Sequence, residues 1–208
     1  MSPEQRDARQ ARWERRYRHA ADGADATPAP AAVLAANRHL LPARGRALDL
    51  ACGLGGSALL LAEHGLDSHA WDYAAGAVAR VAATAAARGL PLSAAQRDVL
   101  AAPPEPASFE VIVVSRFLAR PLCPAIAAAL RPGGLLFYQT FTRERPVTTA
   151  ASGGPKNRDF LLAPNELLQL FAGLRLIHYR EDAGYGEPSR GERSEAWLVA
   201  AREEATHG

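Results

Sequence analysis

The sequence predicts an α/β fold, in which a doubly wound, mostly parallel sheet of seven strands carries helices on both faces. Short apolar runs alternate with helix-forming segments from residue 46 onward, and this alternation is typical of a parallel sheet. The first run ends in a glycine-rich turn, as at the ligand crevice of such sheets. The chain has 208 residues, 48% of them hydrophobic, which is enough for one core. We therefore expect a single domain (1–208) with an N-terminal helical cover (1–42) and an α/β core (43–202).

Two helices are predicted ahead of the sheet, at residues 3–20 and 31–41. The first is highly charged, with arginines interleaved with Trp13 and Tyr17. The second ends at Pro42, because proline has no backbone N–H and cannot continue a helix. The segment between them, Gly23 to Pro30, contains one glycine and two prolines, so it separates the two helices.

The remaining elements follow in a regular order. Short apolar runs bounded by polar, glycine or proline residues predict strands at 46–52, 67–71, 92–97, 109–115, 135–141, 174–180 and 195–201. Helices are predicted at 57–64, 74–88, within 117–130, and at 164–171. Gly65 and Gly89 end the first two of these helices, and Pro121 and Pro124 mark the start of the third. Residues 131–134 (Arg-Pro-Gly-Gly) are expected to form a turn, and the polar segment 142–159 a functional or disordered loop.

The turn after the first strand indicates a cofactor site. Glycine admits a positive φ and lets a ligand approach bare backbone. Counting from Gly53, the dinucleotide pattern G-x-G-x-x-G meets Ala58 at its last position, which alone does not exclude NAD. Asp49, at the end of the strand, would repel a pyrophosphate and attract an ammonium group. This favours S-adenosylmethionine, which has an amino group and no phosphate.

Composition and charge narrow the function classes. The formal net charge is +2, too small to indicate nucleic-acid binding by itself. Two cysteines form no disulfide framework, and the six histidines lack the spacing of metal ligands. No apolar run approaches about 18 residues, and the N-terminus has no signal-peptide pattern. We expect a cytoplasmic protein with a small-molecule substrate, no metal, and neither a membrane nor a nucleic acid as partner.

These residues resemble the signature of the class I S-adenosylmethionine-dependent methyltransferases, which have a Rossmann-like fold. The signature L-D-x-x-C-G-x-G is met by residues 48–55, followed by acids after the second and third strands and the R-P-G-G turn. More narrowly, the chain is similar to small bacterial methyltransferases of the tellurite-resistance type, on Trp13-x-x-x-Tyr17, the segment 49–53, Arg120-Pro121-Leu122, and the segments 139–141 and 159–162. It departs from many class I enzymes at Ala51, where they have a glycine.

The resemblance assigns a role to each residue of the expected cofactor site. Asp49 would hold the methionyl ammonium, Asp72 would accept hydrogen bonds from both ribose hydroxyls, and Asp98 with Val99 would flank the adenine. The remaining expected contacts are Ala51, Cys52, Gly53, Gly55, Tyr73 and Ser115. The alternatives are an ordinary strand–turn–helix joint at Asp49, a solvated strand end at Asp72 and a plain turn aspartate at Asp98. Asp72 would serve a nicotinamide enzyme equally well.

The acceptor is expected at the end of the fourth strand, where Arg116 and Arg120 are the candidate catalytic residues. No N-P-P-Y or D-P-P-Y motif follows this strand, which disfavours the DNA and protein-glutamine targets of enzymes that use one. No general base is evident, which favours a soft or already anionic acceptor such as a thiolate or a selenium or tellurium oxyanion. A small carboxylate or hydroxyl metabolite stays open as an alternative acceptor. The expected substrate or lid residues are Trp13, Arg16, Tyr17, Arg143, Arg145 and Arg158.

Three other functions remain open at this point. RNA or protein methylation would need a dense basic surface, whereas acidic residues dilute the basic N-terminal helix. A non-catalytic S-adenosylmethionine-binding module would share the cofactor site. A nicotinamide reductase is disfavoured by Asp49 and by the missing third glycine.

Overall fold

The computed structural model describes residues 28–144, 154–187 and 190–204. The predicted helix at 3–20 lies outside these residues. The strands are β1 Arg46–Leu50, β2 Asp67–Asp72, β3 Leu92–Gln96, β4 Phe109–Ser115, β5 Leu130–Phe141, β6 Arg175–Glu181 and β7 Glu195–Ala201. The helices are α1 Ala32–Ala36, α2 Gly56–Glu63, α3 Ala75–Arg88, α4 Cys123–Ala129 and α5 Glu166–Leu170, with 3₁₀ turns at Arg38–Leu40, Arg120–Leu122 and Arg158–Phe160.

The seven strands form one sheet in the order β3-β2-β1-β4-β5-β7-β6. Neighbours from β3 to β5 are parallel, whereas β7 runs antiparallel to both β5 and β6. This confirms the predicted seven-stranded, mostly parallel α/β sheet. The strand order reverses between β1 and β4, and ligands bind outside the carboxyl ends of the strands at such a switch point.

Hydrophobic residues are buried on both faces of the sheet, because successive side chains of a strand point to opposite sides. Leu48 and Ile112 belong to one core cluster with residues of α4 and α5. Ala47 and Val111, their neighbours in sequence, belong to a second cluster with residues of α1 and α2. The predicted arrangement of helices on both faces is therefore confirmed.

The fifth strand begins earlier than predicted. Leu130 pairs with Phe109 and Leu135 pairs with Val111, so four residues on β5 oppose a single residue on β4. The predicted turn at 131–134 is thus an irregularity within the strand, with Gly133 at a φ of 77°. Proline has no N–H for the ladder, and glycine accepts the positive φ, which explains why this sequence interrupts regular pairing.

Candidate functional site

A cavity of about 660 Å³ lies at the carboxyl ends of β1, β2 and β4. This volume suits a small-molecule ligand. All ten residues expected to bind the cofactor line it, as does one of the two expected catalytic arginines: Asp49, Ala51, Cys52, Gly53, Gly55, Asp72, Tyr73, Asp98, Val99, Ser115 and Arg116. The fold therefore brings them together, although their roles remain predictions.

The turn between β1 and α2 uses the left-handed conformation three times. φ is 57° at Ala51, 53° at Gly53 and 78° at Gly55. Gly55 precedes the first residue of α2, and a Cβ there would lie 2.6 Å from Cγ2 of Val81. A side chain is therefore excluded at this position by both backbone conformation and packing. Ala51 adopts a conformation that favours glycine. This conformation also ends β1 at Leu50, two residues before the predicted end at Cys52.

Asp49 and Asp72 anchor the two sides of this turn. The Ala58 N–H donates to Oδ2 of Asp49 (3.0 Å), and the Gly53 N–H donates to Oδ2 of Asp72 (2.8 Å). Asp72 also accepts from the Ala74 N–H (2.9 Å). Burial raises the pKa of Asp49 to about 7, against the opposing Ala58 hydrogen bond and with a further contribution from Asp72. A positively charged ligand group near Asp49 would favour its ionised form.

The third aspartate lies on a loop after β3. Oδ1 of Asp98 accepts from the Leu100 N–H (3.1 Å), and Val99 is buried beside it. Arg97 also lines the cavity. Its guanidinium lies 3.9 Å from the centre of the Trp71 ring and donates hydrogen bonds to the carbonyls of residues 102 and 103. Sequence reasoning missed Arg97, because no pattern indicates that its side chain folds back over the loop.

The opposite side of the cavity is mainly apolar. Ser115 ends β4 and Arg116 follows it, and the neighbouring wall residues are Phe117, Leu118, Phe141, Pro155 and Phe160. Arg116 has a φ of 54°, and its Nε donates to Oε1 of the buried Glu195 (2.7 Å). A non-glycine residue held at positive φ is strained, and here it points a cation at the cavity.

Three expected arginines do not line the cavity. Arg120 makes an ion pair with Glu166 (2.5 Å) and donates to the carbonyls of Asp159 and Leu161 (2.6 and 3.0 Å). The position expected for Arg120 is therefore wrong, because its guanidinium ties the segment after β5 to α5. Arg143 and Arg158 are exposed and absent from the wall. Trp13, Arg16, Tyr17 and Arg145 lie outside the described residues.

A segment before α1, within the cover expected at 1–42, also forms part of the wall, although none of its residues was predicted to line the site. Pro28, Ala29 and Ala31 line the cavity. The Ala31 N–H donates to Oγ of Ser57 (3.0 Å), and a Cβ on Gly56 would lie 2.3 Å from the Ala29 carbonyl oxygen. The missing side chain at Gly56 thus allows this segment to cross the start of α2.

Neither cysteine is poised as a nucleophile. Burial raises the pKa of the Cys52 thiol well above its usual value, and burial raises that of Cys123 to about 11. Within the described ranges, no three histidine, cysteine or acidic residues form a group that can hold a metal ion. No helix in the described part of the chain is long and apolar enough to cross a membrane.

Part of the chain matches the model of a known domain family. The methyltransferase domain family matches residues 47–134, which include the glycine turn and all three site aspartates. No curated protein sequence matches the chain.

Solved structures share the fold. TehB from Haemophilus influenzae is 22% identical with a TM-score of 0.66, over 82% of this chain and 61% of that one; the chain thus spans less than two thirds of TehB. An S-adenosylmethionine-dependent methyltransferase from Mesorhizobium loti is 20% identical (TM-score 0.63), over 83% of this chain and 98% of that one. Phosphoethanolamine N-methyltransferase 2 from Haemonchus contortus, in complex with S-adenosyl-L-methionine, is 15% identical (TM-score 0.65), over 83% and 52%.

Proposed function

We propose that the chain is a class I S-adenosylmethionine-dependent methyltransferase and that it methylates a small molecule that arrives as an anion or a soft nucleophile. The observation that carries the proposal is the division of the cavity. Three aspartates, Arg97 and a tight turn lie at the end of the cavity formed by β1 to β3, and Arg116 lies among apolar side chains at the end formed by β4 and β5.

The aspartate side fits S-adenosylmethionine, which supplies an electrophilic methyl group on a sulfonium when bound. Asp49 would accept from the methionyl ammonium, and the positive charge would keep the carboxylate ionised. Asp72, which accepts from the Gly53 and Ala74 N–H groups, would also accept from the ribose hydroxyls. Asp98 would accept from the adenine amino group, with the buried Val99 against the ring. The backbone of Gly53 would lie against the cofactor, since no side chain intervenes.

The acceptor side favours positioning over proton removal. The described wall residues on this side include no histidine, lysine or glutamate, and Ser115 is a neutral hydroxyl. A hydroxyl or amine acceptor would usually need a base. A thiolate or an oxyanion needs only to be held in line with the methyl group, and such alignment can supply a large part of the acceleration. The apolar wall residues would exclude water, and Arg116 would attract the negative charge.

The first experiment is calorimetric titration with S-adenosylmethionine, S-adenosylhomocysteine and NADH. We expect the two adenosyl ligands to bind and Asp72→Ala to lose them. The matched control is Asp67→Ala, at the other end of β2 and largely exposed, which should bind as the wild type does. Binding of NADH alone would contradict the proposal.

The second experiment tests the acceptor with isotopically labelled methyl groups. Thiols, selenite, tellurite and small carboxylates would be compared with RNA and with bulk protein. We expect label only in the small molecules. Label in RNA or protein would replace the proposal with a macromolecular methyltransferase. Cofactor binding without label in any of them would support a non-catalytic module. The expected cytoplasmic location stays a prediction.

A further inference from the structure

We propose that Glu195 is a positioning residue, which holds the guanidinium of Arg116 so that its two terminal nitrogens form an oxyanion-binding fork for the acceptor. The inference rests on the proposed function and deepens it, because it selects oxyanions and carboxylates among the possible acceptors.

The guanidinium of Arg116 is held along one edge only. Its Nε donates to Oε1 of Glu195 (2.7 Å), and its side chain, 64% exposed, lines the cavity. Among the described residues, neither terminal nitrogen of Arg116 has a hydrogen-bond partner. The ring centre of Phe141 lies 5.7 Å from the guanidinium carbon. Two terminal NH₂ groups are therefore left for a ligand, and such a pair matches the two oxygens of a carboxylate or another oxyanion.

Glu195 is fixed by a second buried side chain. Its carboxylate is only 6% exposed, and its Oε2 accepts a short hydrogen bond from Nε2 of Gln139. Gln139 in turn accepts from the Val33 N–H at its Oε1 (2.8 Å). Both ends of the amide are used, so Gln139 has one orientation, with its donor toward Glu195.

A buried carboxylate is costly unless it is paired and hydrogen-bonded. Glu195 meets this requirement with Arg116 and Gln139, and breaking either contact leaves it under-satisfied. The strained backbone of Arg116 carries the guanidinium to this carboxylate. Because Arg116 faces the cavity, its pairing with Glu195 fixes where an incoming anion would meet the terminal nitrogens of the guanidinium.

The test measures anion binding separately from cofactor binding. Enzyme saturated with S-adenosylhomocysteine would be titrated with selenite, in the wild type and in Glu195→Gln. We expect the variant to bind selenite about five- to tenfold more weakly, because the neutral amide accepts from Nε without charge assistance and holds the guanidinium less firmly. The affinity of the variant for S-adenosylhomocysteine should stay unchanged. A substitution that merely destabilised the fold would weaken the binding of both ligands.

Two further variants complete the design. Glu110→Gln removes a carboxylate from an ion pair of the same length, 2.7 Å to Arg131, at residues that do not line the cavity, and it should bind selenite normally. Glu195→Asp keeps the buried charge but shortens the side chain, so it should weaken selenite binding in the same direction even if Glu195→Gln does not fold.

The outcomes separate the inference from the proposed function. Equal selenite affinity in the wild type and both Glu195 variants would overturn the inference, as would wild-type enzyme that binds no selenite. Selenite binding that depends on Glu195, without methyl transfer to any acceptor, would instead refute the proposed function and leave the fork in place.

Discussion

Replacing Ala51 by glycine should stabilise this protein. Ala51 has a φ of 57°, a conformation that costs an L-residue about 1–2 kcal/mol. Glycine removes this cost but loses more freedom on folding, which offsets about 0.5–1 kcal/mol. The net expectation is a gain of about 0.5–1 kcal/mol in the free energy of unfolding, or a rise of about 1–4 °C in the melting temperature of a chain this size.

The assay is thermal unfolding without cofactor. The chain offers one control substitution that should raise the melting temperature and one that should lower it. Ala107 has a φ of 49° and does not line the cavity, so Ala107→Gly should give a similar rise. Ala79 is exposed in the middle of α3, where glycine should lower the free energy of unfolding by about 1 kcal/mol. If Ala51→Gly lowers the melting temperature as Ala79→Gly does, the strain assigned to the turn is wrong.

Three further predictions concern the same site and its surroundings. Gly55→Ala should destabilise the protein by about 1–3 kcal/mol because of its positive φ and the clash with Val81, and more than Gly89→Ala, where φ is 62° and nothing lies within 4 Å; thermal unfolding compares them. The pKa of Asp49 rises from 3.8 to about 7 on folding, so stability should fall as pH rises between these values, and Asp49→Asn should flatten that slope in denaturant titrations. Arg120→Gln should lower the melting temperature yet leave calorimetric affinity for S-adenosylhomocysteine unchanged, since its contacts are with Glu166 and with carbonyls away from the cavity.

The cofactor side of the cavity was predictable because it follows from order along the chain. Asp49, Asp72 and Asp98 each come at or just after the end of a parallel strand, and these ends share one edge of the sheet. Once the strand pattern is correct, their proximity needs no further information. The same rule identified Ser115 and Arg116 at the end of β4.

The arginines that followed were harder to place, because nearness along the chain does not set the direction of a long side chain. Arg120 lies four residues after Arg116, but its guanidinium turns to Glu166 and to carbonyls of the segment 159–161. Those partners lie some forty residues away in sequence, and no local pattern announces them.

The contact between Arg116 and Glu195 depends on the position of β7, which the alternation of strands and helices along the sequence does not predict. The strand β7 lies antiparallel between β5 and β6, and its register places Glu195 opposite Phe141. Were β7 outside β6, Glu195 would be displaced by one further strand spacing of about 4.8 Å, beyond a 2.7 Å contact with Arg116. The aspartate side of the cavity thus depends on the parallel half of the sheet, and the proposed anion fork depends on the antiparallel insertion. We therefore expect the two sides to respond separately to substitution, cofactor affinity to changes around β1 and β2 and anion affinity to changes around β5 and β7.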